Sequence, residues 1–335
     1  MSEPLDRLHD QTQNDWIDEE LAEIRQRLSD EDAGIRRIAL LDLAELDDEQ
    51  TIPWYLHALR HDPASEVRQE AARLLAAWET DPVVSALCHA LTDDSETVRE
   101  LAAQSLSEFK LHISGRIILP WADHTETYVR IAALRALREL RLPESFATAQ
   151  NNLSHPSPAV RREAVGVLGW LKHTDALPRL AEIANQDEHA EVRRIATGAL
   201  GYAQDSSVLP ALLHALRDDI WQVREEAAHT LGKLRLQGAT NALISALSDE
   251  YWQVRIHAAR SLGKLKAPAA TIPLLTTLEH SISNLRKEAA LALGEIGNEQ
   301  AKSGLEIALS DGDPEVRKAV RIALSQLNLQ ASTQS

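Results

Sequence analysis

Cysteine is nearly absent from this 335-residue chain. A single residue, Cys88, excludes an intramolecular disulfide framework and a cysteine-based zinc site. Phe and Tyr are also scarce, at two and four residues, although apolar residues make up 44% of the chain. Ala and Leu carry most of that apolar content, and runs of β-branched residues are few, which argues for helices that meet at close range. No apolar run is long enough to span a bilayer. The segment Met1 to Asp15 is polar and acidic and lacks the basic start and apolar core of a secretory signal, so a cytoplasmic location is expected. Positive charge is in deficit too, with 35 Lys and Arg against 51 Asp and Glu and a net charge of −16. Residues 1–60 alone hold 16 acidic against 6 basic residues. Duplex nucleic acid needs a basic footprint and is excluded as a partner, whereas a protein with a basic surface suits this balance.

What is present is a repeat. An apolar–Arg pair recurs at Ile35-Arg36, Val67-Arg68, Val98-Arg99, Val129-Arg130, Val160-Arg161, Val192-Arg193, Val223-Arg224, Val254-Arg255, Leu285-Arg286 and Val316-Arg317, with arginines 31 or 32 residues apart. Three residues after the arginine stands Ala, or Val320 in the last repeat, and seven after it stands Leu in all ten. Eight after it a small residue occurs in nine repeats, among them Gly169, Gly201, Gly232, Gly263 and Gly294. Apolar positions one before and three, seven and ten after the arginine trace one stripe of an α-helix. Gly inside a helix costs about 1 kcal/mol against Ala, so its recurrence predicts close helix–helix approach. A second, shorter amphipathic helix lies between these, with Pro53, Pro210 and Pro273 near its start. Six residues before the arginine stands Asp30, Asp62, Asp93, Asp187, Asp218, Asp249 or Asp311, and in the other three repeats His124, His155 or His280. An acceptor in that turn is expected to satisfy backbone donors and to pair charge with arginine from repeat to repeat.

The pattern Asp…Val-Arg-x-x-Ala-x-x-x-Leu-Gly-x-Leu resembles the phycobilisome-lyase type of HEAT-like repeat. The resemblance implies an all-α, right-handed α–α superhelix of about ten two-helix repeats, with the Val-Arg helices on the concave face. The repeat array is expected over 16–327, between a polar N-terminal tail (1–15) and a polar C-terminal tail (328–335). Asp18, Glu19, Glu20 and Glu23 suit a polar cap on the first repeat. Gly115 and Pro120 within His112 to Asp123 should distort the short helix there and bend the array.

Catalytic signals are wanting. A di-iron hydroxylase built on this scaffold, deoxyhypusine hydroxylase, carries His-Glu pairs directly after the repeat arginine, and no His-Glu dipeptide occurs among the thirteen histidines here. Glu226, His229 and His257, with Glu225, form a weak metal candidate between neighbouring repeats, outweighed by a solvated helix face. His57, His89 and His214 read as surface or boundary residues, and Cys88, Trp54 and Trp78 as core. No phosphate-cradling glycine loop is present.

Recognition is placed instead on two rows of side chains. Trp170, Tyr202, Lys233 and Lys264 share the position nine after the arginine, with Arg162 and Arg194 near them. Trp221 and Trp252 share the position three before it, where they either anchor a partner or staple the turn. The expected function is a non-enzymatic scaffold, adaptor or assembly chaperone that holds a protein partner and uses no cofactor. Two alternatives are a subunit of a bilin lyase or prosthetic-group factor, implied by the resemblance, and an inhibitor of a basic toxin.

Overall fold

The computed structural model describes residues 19–334, and all the regular structure among them is helical. None of these helices is long and apolar enough to cross a membrane. The tail 1–15 and Asp18 lie outside the described residues. The chain divides into two compact units, Met1–Leu171 and Lys172–Ser335.

In the first unit short and long helices alternate: α1 (Glu19–Leu28), α2 (Ala33–Ala44), α3 (Ile52–His61), α4 (Ser65–Leu75), α5 (Asp81–Ala90), α6 (Glu96–Glu108), α7 (His112–Ile118), α8 (Thr127–Leu140), α9 (Ser145–Asn152) and α10 (Pro158–Leu171). The arginine-bearing helices α2, α4, α6, α8 and α10 pack each against the next, and each also packs against the shorter helix before it. The predicted stripe is the core, since Val67, Val98, Val129 and Val160, the Ala residues three after each arginine and the Leu residues seven after it are all buried. Ile35, the equivalent in the first repeat, is 36% exposed. Trp54 is buried as expected, whereas Trp78 is only half-buried. Cys88 is fully buried, and burial pushes its thiol up to about 12.

The irregular repeat forms as its glycine and proline dictate. Helix α7 ends at Ile118 and gives way to a 3-10 turn over Leu119–Asp123 that contains Pro120. Its N-terminus is capped from the preceding repeat, where the Glu79 carboxylate accepts the Lys110 and Leu111 amides and the Ser114 hydroxyl (2.6–2.9 Å). Ser114 and Gly115 are buried, and a Cβ on Gly115 would lie 3.2 Å from Leu142.

The second unit repeats the alternation: α11 (Leu177–Gln186), α12 (Ala190–Ala199), α13 (Leu209–Ala215), α14 (Trp221–Leu234), α15 (Thr240–Ala246), α16 (Trp252–Leu265), α17 (Thr271–Thr277), α18 (Ser283–Ile296), α19 (Lys302–Ala308) and α20 (Pro314–Gln334). Here the recurring glycine has a visible cause. A Cβ on Gly232, Gly263 or Gly294 would come 2.8, 2.9 or 2.7 Å from the Cα of Ser261, Ala292 or Ala323 on the next arginine-bearing helix. Backbone thus meets backbone along α14, α16, α18 and α20. Two of these helices end with a non-glycine residue in the left-handed region, Arg235 (φ 52°) and Lys266 (φ 49°). Helix α20 continues to Gln334, so the polar segment from Asn328, expected as a tail, is helical.

Gly263→Ala tests this seam. Helix propensity alone would stabilise the variant by about 1 kcal/mol. The contact with Ala292 instead predicts a net loss of about 1–2 kcal/mol in urea unfolding, because overpacking against backbone cannot relax cheaply. Gly312→Ala, where nothing lies within 4 Å of the new Cβ, should stay within about 0.5 kcal/mol of the parent.

Candidate functional site

The repeat arginine is a structural group. In α14, Arg224 donates from Nη1 to the main-chain carbonyls of Asp218 and Asp219 in its own turn (2.7 and 3.2 Å). Its Nε and Nη2 then grip both oxygens of Asp249, one repeat on (2.7 and 2.9 Å). Asp249 in turn accepts the Tyr251 amide at 2.9 Å, capping the entry to α16. The same pairing joins Arg36 to Asp62, Arg68 to Asp93, Arg193 to Asp218 and Arg286 to Asp311. These side chains are mostly buried, and the arginine holds the carboxyls of Asp93, Asp218, Asp249 and Asp311 below the usual carboxylate range.

Where histidine replaces the aspartate, the cap survives and the charge pair does not. Nδ1 of His124, His155 and His280 accepts the amide two residues on (3.0–3.1 Å), as the aspartate would. Arg130 turns to Asn152 Oδ1 at 2.8 Å, and Arg255 approaches His280 Nε2 at 2.9 Å.

Side chains outside this ladder and outside the apolar stripe are free to differ between repeats. Of the row nine after the arginine, Trp170 ends the first unit at 43% exposure, with Arg141 over its ring at 4.5 Å. Tyr202, Lys233 and Lys264 belong to the second unit. The two lysines are exposed. Tyr202 is half-buried instead, its hydroxyl donates to the His173 carbonyl at 2.9 Å, and burial pushes it up to about 12. It therefore clasps the neighbouring turn and presents only part of its ring.

Arg162 donates to Glu163 at 2.8 Å, and Arg194 is held by both oxygens of Glu191 (2.7 and 2.9 Å) and by Glu226 at 3.7 Å. Of the second row, Trp221 stacks on Tyr251 (5.4 Å, 13°), with Arg224 against the same tyrosine ring. Trp252 stands out at 42% exposure. It walls a pocket of about 280 Å³ with Glu225, His257, Arg260, Lys287 and Glu288.

The metal candidates are brought near one another but do not converge on one point. His229 and His257 meet edge to face at 5.4 Å, Glu225 lies 3.3 Å from His257, and Glu226 faces Arg194. Among the described residues no group of three His, Cys, Asp or Glu is arranged to hold a metal ion. His57 is half-buried and His89 and His214 are exposed, as expected of boundary and surface residues.

One further cluster lies on α8 and α10. Glu163, on α10, is buried and faces three guanidiniums: Arg162 at 2.8 Å, Arg138 at 3.1 Å and Arg135 at 3.7 Å. Its signal was in the sequence, since Arg138 is the exception to the small residue eight after the arginine.

The chain matches the HEAT-repeat family over residues 21–108, 116–200, 182–250 and 240–325. It is a HEAT-repeat protein. No curated protein matches it. Among solved structures, this HEAT-repeat chain is similar to YibA of E. coli, with 19% identity and a TM-score of 0.60 over 80% of this chain and 98% of that one. It is also similar to Kap95p in a structure with RanGDP (14% identity, TM-score 0.66) and to importin beta (15%, 0.61). Those two matches cover 91% and 90% of this chain but only 49% and 50% of theirs. At such identities the likeness is one of fold.

Burial, then His229 and Arg260, push His257 down to about 4 from its ordinary 6.5. Below pH 6.5 the unfolded chain takes up a proton that the folded chain refuses, so this contribution to stability is whole above pH 6.5 and is lost toward pH 4. Urea unfolding at pH 7.5, 6 and 5 should show it, with a slope of up to about 1.4 kcal/mol per pH unit from this one group. The slope should become shallower in His257→Asn, and an unchanged slope would show that the ring is not held neutral.

Proposed function

We propose that this chain is a non-enzymatic scaffold that holds a protein segment along its arginine-bearing helices, on the concave face that HEAT-like repeats present. One observation carries the reading. The stripe is nearly uniform from repeat to repeat and the ladder recurs in most of them, while the exposed positions between them change freely and bear large side chains such as Trp170, Trp252, Lys233 and Lys264. An exposed tryptophan on a rigid helix is costly to leave in water and is the residue type that anchors protein partners. Protein partners are also named for similar folds, in the structures of Kap95p with RanGDP and with Nup1.

Charge narrows the partner. Residues 1–171 hold 31 acidic against 17 basic residues, and residues 172–335 hold 20 against 18. The acidic half attracts a protein with a basic surface. The finer parts of the reading are a phycobilisome-lyase type of repeat, resting on the Asp…Val-Arg…Leu-Gly pattern, one repeat array over 16–327 and a cytoplasmic location. The Tyr202 hydroxyl, which a chromophore-handling role would want free, is engaged with His173, and this favours the scaffold.

Affinity capture with the whole chain tests the proposal. One polypeptide should be retained in near-stoichiometric amount at 0.1 M salt and weakened at least about tenfold at 0.5 M, where exposed charges are screened. Trp170→Ala combined with Trp252→Ala should release it while leaving helical circular dichroism unchanged. Retention unaffected by the double substitution would remove these tryptophans from the interface, and retention unaffected by salt would remove surface charge from the grip.

A further inference from the structure

The guanidinium cluster on α8 and α10 exceeds what its carboxylate needs. The molecule supplies its own comparison, because Glu288 occupies in α18 the position that Glu163 occupies in α10, two after the repeat arginine. A single residue satisfies Glu288: Arg260 binds both oxygens at 2.8 Å, and Lys287 stands off at 3.8 Å. At Glu163 the equivalent of Arg260, Arg135, is held back at 3.7 Å, and Arg138 and Arg162 take the near places.

Arg138 is the departure that creates the cluster. The other nine repeats have a small residue there, and Gly166 makes room for it, since a Cβ on that glycine would lie 3.0 Å from Arg138 Cδ. Beyond it, Arg141 follows α8 in the left-handed region (φ 50°) and lies over the ring of Trp170. Arg138 also bonds Glu139 at 3.1 Å. Three guanidiniums thus face Glu163, Glu139 adds a second carboxylate at Arg138, and with Arg141 over the nearby Trp170 ring the four arginines exceed these two carboxylates by two positive charges. Arg135, Arg138 and Arg162 keep between about a third and a half of their side chains in solvent.

We propose that Arg135, Arg138, Arg141 and Arg162 receive a phosphate monoester carried on a segment of the partner protein. The proposal rests on the scaffold reading and names the chemistry of one contact. A monoester bears about −1.5 to −2 charges and three acceptor oxygens, which match the surplus and the three forks converging at Glu163. A second carboxylate would supply one charge and two oxygens where Glu163 already provides as much. The acidity of the rest of the first unit repels extended polyanions, so the site selects a compact anion on a neutral or basic segment. The Trp170 ring beside Arg141 offers an apolar platform for the flanking residues.

Fluorescence anisotropy with the whole chain tests this. The probe is a fluorescein-labelled octapeptide of Gly, Ala and Lys with one central phosphoserine, compared with the same peptide bearing Ser or Glu. The phosphopeptide should bind at least about tenfold more tightly than either, and inorganic phosphate should compete only at far higher concentration. Arg138→Gly, which restores the small residue of the other repeats, should remove that preference with unchanged circular dichroism. Arg135→Gln should weaken it severalfold, and Arg235→Ala in the second unit should not. Equal affinity for the Ser peptide, or no effect of Arg138→Gly, would overturn the site. Equal affinity for the Glu peptide would make it a carboxylate site, and phosphate alone binding as tightly would make it a free-anion site; either overturns the proposal. Because the peptide is synthetic, failure here is separable from failure to capture a native polypeptide.

Discussion

At Arg36, Arg68, Arg193, Arg224 and Arg286 one guanidinium ties two turns together. Its Nη1 closes the turn that leads into its own helix, and its Nε and Nη2 hold the aspartate that caps the next helix. A buried ion pair adds little net stability over a well-packed apolar pair, because desolvation offsets the attraction. Its contribution here is geometric. The fork accepts the carboxylate in one orientation, so the distance and rotation from each arginine to the next turn are set side chain by side chain. The apolar stripe alone, made of Val, Ala and Leu, would allow neighbouring helices to slide. Where histidine replaces aspartate the turn keeps its cap but the fork loses its charged partner, and Arg130 and Arg255 find substitutes.

That spacing lets the glycines meet backbone in the second unit, with helices so close that no Cβ fits at Gly232, Gly263 or Gly294. Close helices leave few surface positions per repeat, and those few are where one repeat differs from another. The exposed tryptophans and lysines lie there, and so does the arginine cluster around Glu163. A repeat scaffold of this kind separates the residues that build from those that recognise, which lets the second group change without cost to the first.

Much of this was legible in the sequence because a repeat is its own alignment. The stripe, the small-residue position and the acceptor before the arginine were visible as columns, and the helices, the seam and the ladder followed. Direction was not visible. That Arg224 reaches forward to Asp249 and takes only main-chain oxygens from Asp218 depends on the three-dimensional stacking. The fate of single side chains was legible in part. Trp54 went to the core as its position implied, but Trp78 stayed half-exposed and Tyr202 bonded a neighbouring turn. Such outcomes are decided by which atoms lie one repeat away, and periodicity within a helix carries no record of that. The Glu163 cluster was legible only in part. Arg138 was visible as an exception, but only the structure brings Arg135, Arg138 and Arg162 to one carboxylate.

The central claim is that the arginine–aspartate fork couples successive repeats. A double-mutant cycle of Arg224→Ala and Asp249→Asn, measured by urea unfolding at pH 7, tests it directly. A fork that holds the register predicts a coupling energy above about 1 kcal/mol, beyond the range of ordinary exposed pairs. Two single substitutions whose losses simply add, to within about 0.3 kcal/mol, would contradict the account.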